Sequence, residues 1–351
     1  MAETPEAAAD LAAGVREVLT SHLEDDPGEL RVSPVPGGAS RETWLVTREA
    51  SGRDGEVALC VLRRDPEGSI SLVPMRDEFA LLECARRADV PVPQPIACED
   101  GGGAFGSAGL LMEFVEGTSV AQRVLRKPEY EGAREVLTGQ LARALARIHA
   151  LGPEDVKGVL PQAPASPVAA QLDDWEGQLD RLGEPLPAVE LGLRWLRLNS
   201  PDPVEPVLVH GDYRLGNFIV DEDGLAAVID WELSHLGDPA EDLGWLCIRS
   251  WRFGNDGLPV AGLGTLEEFL SAYEAAGGEA IDARRVGYWE VFGNVKWALI
   301  CASQAQDHLT GVRRSHELAS LGRRICEPEW DMLVLIGADE GRNESPRAAE
   351  A

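Results

Sequence analysis

Long hydrophobic runs are missing from this sequence. No stretch approaches the ~18 uninterrupted apolar residues of a membrane-spanning helix. The opening segment, MAETPEAAADLAAGV, has neither the basic start nor the apolar core of a signal peptide. A cytoplasmic location is the expectation. Lysine is scarce as well: Lys127, Lys157 and Lys296 are the only ones. Any bound phosphate must therefore meet arginine, backbone amide or metal. No CxxC pair exists among Cys60, Cys84, Cys98, Cys247, Cys301 and Cys326, which argues against a zinc site. Apolar neighbours such as Leu59 and Val61 point to reduced, buried thiols instead.

Acid is what the chain has in excess. Against 32 Lys and Arg stand 60 Asp and Glu, a net charge of −28. Such a field repels nucleic acid and anionic membrane, so neither is an expected partner. A length of 351 residues predicts two lobes rather than one core. The first part reads as a helix over 6–24, strands over 30–35, 43–48 and 57–63, a helix over 76–88 and a buried strand over 109–115. Beyond Gly117 helical periodicity takes over, at 134–150, 171–182, 187–198, 239–249, 265–276, 281–309 and 314–324. Pro153–Pro167 reads as a loop. From Ala338 the polar, charged composition predicts a disordered tail.

Residues 206–234 break the helical pattern with short strands at 207–209, 218–220 and 226–229. They also carry the chemistry. The first strand delivers His210 and Asp212 at its end, Asn217 lies five residues after Asp212, and Asp230 closes the last apolar run. Phosphoryl transfer from ATP needs a carboxylate near the acceptor hydroxyl and oxygen ligands for Mg²⁺ beside the phosphates. One hairpin-like unit with Asp, Asn and Asp supplies both. The kinase loop H-R-D-x-x-x-x-N has the same spacing from Asp to Asn.

HGDYRLGNFIVD…VIDWE, followed by GDPAEDLGWL, resembles the aminoglycoside phosphotransferase/choline kinase-like family. Within it, the pattern is similar to the kinase-like domains found with acyl-CoA dehydrogenases. The resemblance covers roughly 28–325. It implies an α+β, bilobal, protein-kinase-like fold with a small β-rich N-lobe and a larger, mostly helical C-lobe. The expected division is an N-terminal helical extension (1–27), N-lobe (28–116), C-lobe (117–337) and tail (338–351). ATP (or GTP) and Mg²⁺ are the implied cofactors, and a small-molecule alcohol is the implied partner.

Residue by residue, Asp212 resembles the catalytic aspartate, and Asn217 and Asp230 resemble the Mg²⁺ ligands. Arg214 stands two after Asp212, where protein kinases place a lysine that approaches the γ-phosphate; an arginine there neutralises transferring charge. His210 is expected to bond backbone near Asp230 rather than to act as a base. Asp238 is expected to cap the turn near Pro239, Asp242 to bond the catalytic loop, and His149 to pack at a helix end.

The N-lobe offers a separate test. Pro36-Gly37-Gly38-Ala-Ser40, between two strands, fits a turn whose backbone covers phosphates. Arg63 ends the next strand where the family has Lys or Arg. Side chains alternate along a strand, so only one of Arg63 and Arg64 faces the cleft; Arg63 is the choice and Arg64 the solvated alternative. Glu78 resembles the helix glutamate that pairs with that cation. Met112-Glu113-Phe114-Val115 resembles a kinase hinge, with Met112 behind the adenine, the Glu113 carbonyl accepting from it and the Val115 amide donating to it.

The acceptor stays open among aminoglycosides, hydroxyacyl compounds and other alcohols. Trp175, Glu232, Trp289, Asn294 and Trp297 are candidates to meet it. Two rivals remain. One is a catalytically inactive kinase fold that binds nucleotide or acts as a scaffold. The other is a metallohydrolase built on His210, Asp212 and His235.

Overall fold

The computed structural model describes residues 5–22, 26–35, 41–49, 56–65, 73–101 and 103–343. The first lobe holds helix α1 (Pro5–His22), strands β1 (Leu30–Pro34), β2 (Glu42–Glu49) and β3 (Glu56–Arg64), helix α2 (Met75–Arg87), and strands β4 (Pro95–Asp100) and β5 (Ala108–Glu113). The five strands form one antiparallel sheet in the order β1-β2-β3-β5-β4. Period-two alternation decides what each face meets. Trp44, Val46, Cys60, Leu62 and Leu111 point to one side and pack against Leu11, Val15 and Leu19 of α1. The helix expected as an N-terminal extension thus covers the back of the sheet. Leu110 and Met112 point to the other side, where Leu81, Leu82 and Ala85 of α2 meet them. Arg63 shares that second face.

The second lobe is mostly helical. It contains α3 (Ala121–Arg126), α4 (Glu131–His149), α5 (Pro167–Leu182) and α6 (Pro187–Leu198). Four short strands follow: β6 (Val207–Val209), β7 (Phe218–Asp221), β8 (Gly224–Val228) and β9 (His235–Gly237). The chain then forms α7 (Ala240–Cys247), α8 (Leu266–Ala275), α9 (Ala283–Thr310), α10 (His316–Leu321) and α11 (Cys326–Asn343). Pairs β6–β9 and β7–β8 are both antiparallel. Around them, Leu137, Leu141, Leu145 and Ile148 of α4 join Phe218, Val220, Trp231 and Leu243 in one core that runs on to α2. Gly244 lets α7 lie against α9, since a Cβ there would sit 2.4 Å from the Trp289 carbonyl carbon.

The expected α+β bilobal architecture is the one observed. Five elements depart from the sequence expectation. Strand β4 begins at Pro95, and its prolines read as a helix stop; it is an edge strand, where a missing N–H is tolerated. Strand β9 has three residues and exists through its pairing with β6. Helix α3 is too short to show a period. Helix α11 was unexpected, and it buries Met332 and Ile336 while leaving Trp330 and Val334 exposed. It runs to Asn343, past the point where the disordered tail was expected to start. Helix α5 also starts earlier than expected, at Pro167, with Ser166 as its N-cap accepting from the Ala169 amide.

Candidate active site

The loop after β6 is built on Asp242. This buried carboxylate accepts from the His210 amide at 2.8 Å and the Gly211 amide at 2.9 Å. His149 of α4 approaches its Oδ2 at 3.2 Å, and the other ring nitrogen of His149 lies 2.8 Å from the Tyr273 hydroxyl. Burial alone would raise the Asp242 pKa, but the hydrogen bonds from His149 and the His210 amide help hold it below the usual carboxylate value. Gly211 has φ +79°, and a Cβ there would come within 2.3 Å of the Leu233 carbonyl oxygen. Asp242 and His149 therefore play the structural parts expected of them.

His210 is a scaffold. Its Nδ1 accepts from the Asp212 amide at 3.2 Å, so Nε2 carries the proton donated to the Ile229 carbonyl, also at 3.2 Å. Burial outweighs the nearby carboxylates and lowers its pKa, which keeps the ring neutral. His235 differs. Its Nδ1 faces the Leu233 carbonyl at 2.9 Å and its Nε2 faces Glu241 Oε2 at 3.0 Å. The Glu241 charge outweighs burial and raises the His235 pKa, and Gln171 Nε2 also lies 3.3 Å from the same Nε2. Neither histidine has a nitrogen lone pair left for zinc, which disposes of the hydrolase arrangement.

Asp212 is held at both oxygens. Oδ1 accepts from Trp245 Nε1 at 2.7 Å and from Arg214 Nε at 3.0 Å. Oδ2 accepts from Asn217 Nδ2 at 2.5 Å. The same Asn217 nitrogen donates to the Asp212 carbonyl. With its nitrogen so engaged, Asn217 keeps its carbonyl oxygen Oδ1 for another partner. The Ile229 amide donates to the Asn217 carbonyl at 2.9 Å, which ties the two ends of the β7–β8 hairpin together and sets Asp230 beside Asn217. Asp230 is presented on a left-handed backbone, φ +72°, a conformation aspartate tolerates better than most residues. Asn217 Oδ1 and a carboxylate are hard oxygen donors of the kind Mg²⁺ takes, and two protein ligands suffice when phosphates supply others.

Arg63 reaches this pair from β3. Its Nη2 donates to Asp230 Oδ1 at 2.6 Å and its Nη1 donates to Glu78 Oε1. Burial would raise the Asp230 pKa, but the Arg63 charge and hydrogen bond hold it low. Arg64 points to the opposite face, donating to Glu42 and lying over Trp44. Of the two arginines, Arg63 is the one on the face with Glu78 and Asp230. Met112 is buried on the cleft-facing side of β5, Glu113 is the last residue of that strand, and the Val115 amide has no hydrogen bond among the described residues. Gly37, Gly38 and Ser40 lie outside the described residues.

Arg41 was missed. It is 2% exposed at the side chain and donates to Glu78 Oε2, Asp65 and the Val73 carbonyl. Glu78 thus divides its oxygens between two arginines. The signal was there in alternation: Thr43 pairs with Arg63 in the sheet, so Arg41 enters β2 on the same face. Trp245 and Lys296 were missed too. Lys296 donates to the Gly211 carbonyl at 2.7 Å and stands over the Trp245 ring. Of the expected acceptor contacts, Trp289 and Asn294 are buried in the core, and Trp297 packs on Trp251. Glu232 lies 3.8 Å from both Arg41 and Arg63. Trp175 lines a cavity of about 790 Å³ between α5, β9 and α9, together with Leu233, His235, Leu236, Glu241 and Lys296. A second cavity of about 560 Å³, at the start of α9, holds none of the expected site residues.

A profile of the phosphotransferase enzyme family matches residues 31–286. The chain belongs to that family. It is 30% identical over 301 residues to acyl-CoA dehydrogenase family member 10 of Mus musculus, covering 79% of this chain and 27% of that protein. It is 25% identical over 333 residues to acyl-CoA dehydrogenase family member 11 of Gallus gallus, covering 88% and 41%. The chain therefore spans well under half the length of these relatives. Among solved structures, a proposed aminoglycoside phosphotransferase from Ralstonia eutropha JMP134 superimposes with a TM-score of 0.70 at 23% identity, covering 91% of this chain and 97% of that one. This likeness bears on the fold.

Proposed function

We propose that this family member is an ATP- and Mg²⁺-dependent phosphotransferase acting on a hydroxyl of a small molecule. The convergence of Asp212, Asn217, Asp230, Arg63 and Glu78 in one cleft carries the reading. Asp212 would orient the acceptor hydroxyl and take its proton. The hydroxyl oxygen bonds the γ-phosphorus, the bond from that phosphorus to the bridging oxygen breaks, and ADP leaves with the electron pair. Arg63 would meet the α- and β-phosphates, and Arg214 the transferring group, in a site whose work is positioning and charge neutralisation. Mg²⁺, held by Asn217 Oδ1 and Asp230, would neutralise β- and γ-phosphate oxygens. The Val115 amide and Glu113 carbonyl would read the adenine over Met112.

The cavity beside the catalytic loop supports an apolar acceptor. Its walls include Pro161, Pro164, Trp175, Leu236 and Ile300. Its carboxylates, Asp174, Glu241 and Asp307, are balanced by Arg181, His235, Lys296 and Arg313. A polycationic aminoglycoside would find no excess of negative charge there, despite the acidity of the whole chain. The acyl-CoA dehydrogenase relatives favour a hydroxyacyl compound. ADP release across a panel of hydroxyacyl compounds, aminoglycosides and simple alcohols tests this. Asp212→Ala should bind ATP but turn over ~10²–10⁴-fold more slowly. Asp230→Ala should lose productive Mg-ATP binding. If both variants match wild type, the reading falls, and an inactive scaffold becomes the better description.

A further inference from the structure

Asp212 has three side-chain donors, and two of them have other work in the reaction proposed above. Arg214 is assigned to the transferring phosphoryl group, and it is the more exposed partner of its ion pair with Asp212. Asn217 is assigned to the metal through Oδ1 while the nitrogen of the same amide bonds Asp212 Oδ2. Trp245 is the donor without another task. It comes from α7, outside the catalytic loop, and its indole N–H reaches Asp212 Oδ1 at 2.7 Å.

The surroundings of Trp245 fix that N–H. The ring is buried, with Trp251 at 5.3 Å and Trp297 at 6.5 Å, both edge-on. The ammonium of Lys296 stands 4.6 Å from the ring centroid. A cation over an indole face draws electron density from the ring and makes the N–H a stronger donor. Lys296 is itself held on the Gly211 carbonyl, one residue before Asp212. Helix α7 also supplies Asp242, which holds the His210 and Gly211 amides. One turn of helix therefore grips both the backbone leading into the reacting residue and that residue's side chain.

We propose that Trp245 is a positioning residue for the transfer step. It holds the Asp212 carboxylate in one plane while Arg214 and Asn217 engage phosphate and metal. A carboxylate free to rotate about its Cβ–Cγ bond would present the acceptor hydroxyl with varying geometry, and small misplacements near a reacting atom are costly. The proposal rests on the phosphotransferase reading.

Trp245→Phe keeps a ring among the aromatics and removes the donor. A second variant, with Trp245 replaced by 3-benzothienylalanine, keeps the two-ring outline and puts sulfur where the N–H stands. The acceptor is the best substrate from the alcohol panel, and nucleotide affinity is measured by calorimetry with a non-hydrolysable ATP analogue. The expected result for both variants is a kcat lower by about 10–100-fold, the range of one hydrogen bond to a charged group. The KM for ATP and the analogue affinity should stay within about twofold, the signature of an interaction needed in the transition state. The benzothienyl variant decides if the phenylalanine variant does not fold. An unchanged kcat, or a kcat loss matched by an equal loss of nucleotide affinity, overturns the proposal. If wild type transfers phosphate to no acceptor, the phosphotransferase reading falls and takes this inference with it. Activity in wild type with undiminished kcat in the variants sinks the inference alone.

Discussion

Arg63 holds Asp230 at 2.6 Å through one guanidinium nitrogen while the other bonds Glu78. The guanidinium therefore stands on the carboxylate assigned to the metal. A lysine has a single nitrogen and cannot span both carboxylates with the same planar fork. Free divalent metal at Asp230 meets the charge of that guanidinium, whereas nucleotide phosphates offer Arg63 a new partner. Without nucleotide, Mn²⁺ should bind wild type weakly, and Arg63→Met should bind it about tenfold more tightly, the worth of a charge-assisted hydrogen bond. Calorimetry or Mn²⁺ electron paramagnetic resonance reads this without turnover. Equal Mn²⁺ affinity in the two proteins would show that Arg63 does not compete with the ion.

Arg41 should matter more for stability than for chemistry. It is buried against Glu78 and Asp65, and Glu78 is 1% exposed at the side chain. Removing one partner of a buried ion cluster leaves uncompensated charge and costs about 3–5 kcal/mol. Arg41→Ala should lower the urea-unfolding free energy by about that amount, and Arg41→Lys by less. A loss below about 1 kcal/mol for the alanine variant would mean the cluster is solvated in solution.

The sequence made this cluster only half legible. Alternation along β3 separates Arg63 from Arg64, because Leu62 and Cys60 must face α1. The same logic applied to β2 would have placed Arg41 beside Arg63, but Arg41 precedes the strand and follows residues outside the described ones. The Asp212–Asn217–Asp230 spacing was readable because one hairpin carries all three. Trp245 was not, since its partner lies 33 residues earlier in the chain. Its place three residues after Asp242 puts both on one face of α7, and only the fold shows that this face meets the loop. Strand β9 and the cavity beside Trp175 were hidden for a related reason: both arise from segments far apart in sequence.

His235 and Glu241 form a pair whose contribution depends on pH. Burial would lower the His235 pKa, but the Glu241 charge and hydrogen bond outweigh it and the net shift is upward. Burial would raise the Glu241 pKa, but His235, Lys296 and Gln171 bring it down. A raised histidine value stabilises the fold fully below its ordinary value of about 6.5 and loses that contribution as pH rises through the folded value. A lowered glutamate value stabilises above its ordinary value of about 4.3 and loses that contribution as pH falls through the folded value. The gap in melting temperature between wild type and His235→Gln should therefore be widest near pH 5.5 and shrink on the alkaline side of the raised histidine value. A gap constant from pH 5 to 9 would count against the charged pair. Asp174 and Asp307 line the same cavity and favour the charged ring, while Lys296, Arg181 and Arg313 oppose it.

Asp242→Asn tests whether the catalytic loop is held by charge. Oδ1 accepts from the Gly211 amide, and Oδ2 accepts from the His210 amide and lies against His149. An asparagine keeps one acceptor oxygen and turns an NH₂ group towards donors. Whichever way the side-chain amide turns, its NH₂ faces the N–H of His210 or of Gly211, and a backbone N–H cannot accept. A buried donor would then lack an acceptor, at a cost of about 3 kcal/mol. The unfolding free energy should fall by roughly that much with the slope against urea unchanged. Turnover should fall with it, because the amide that loses its acceptor, that of His210 or of Gly211, lies within two residues before Asp212. Retention of both stability and turnover would mean that the backbone turn at Gly211, and not Asp242, sets the loop.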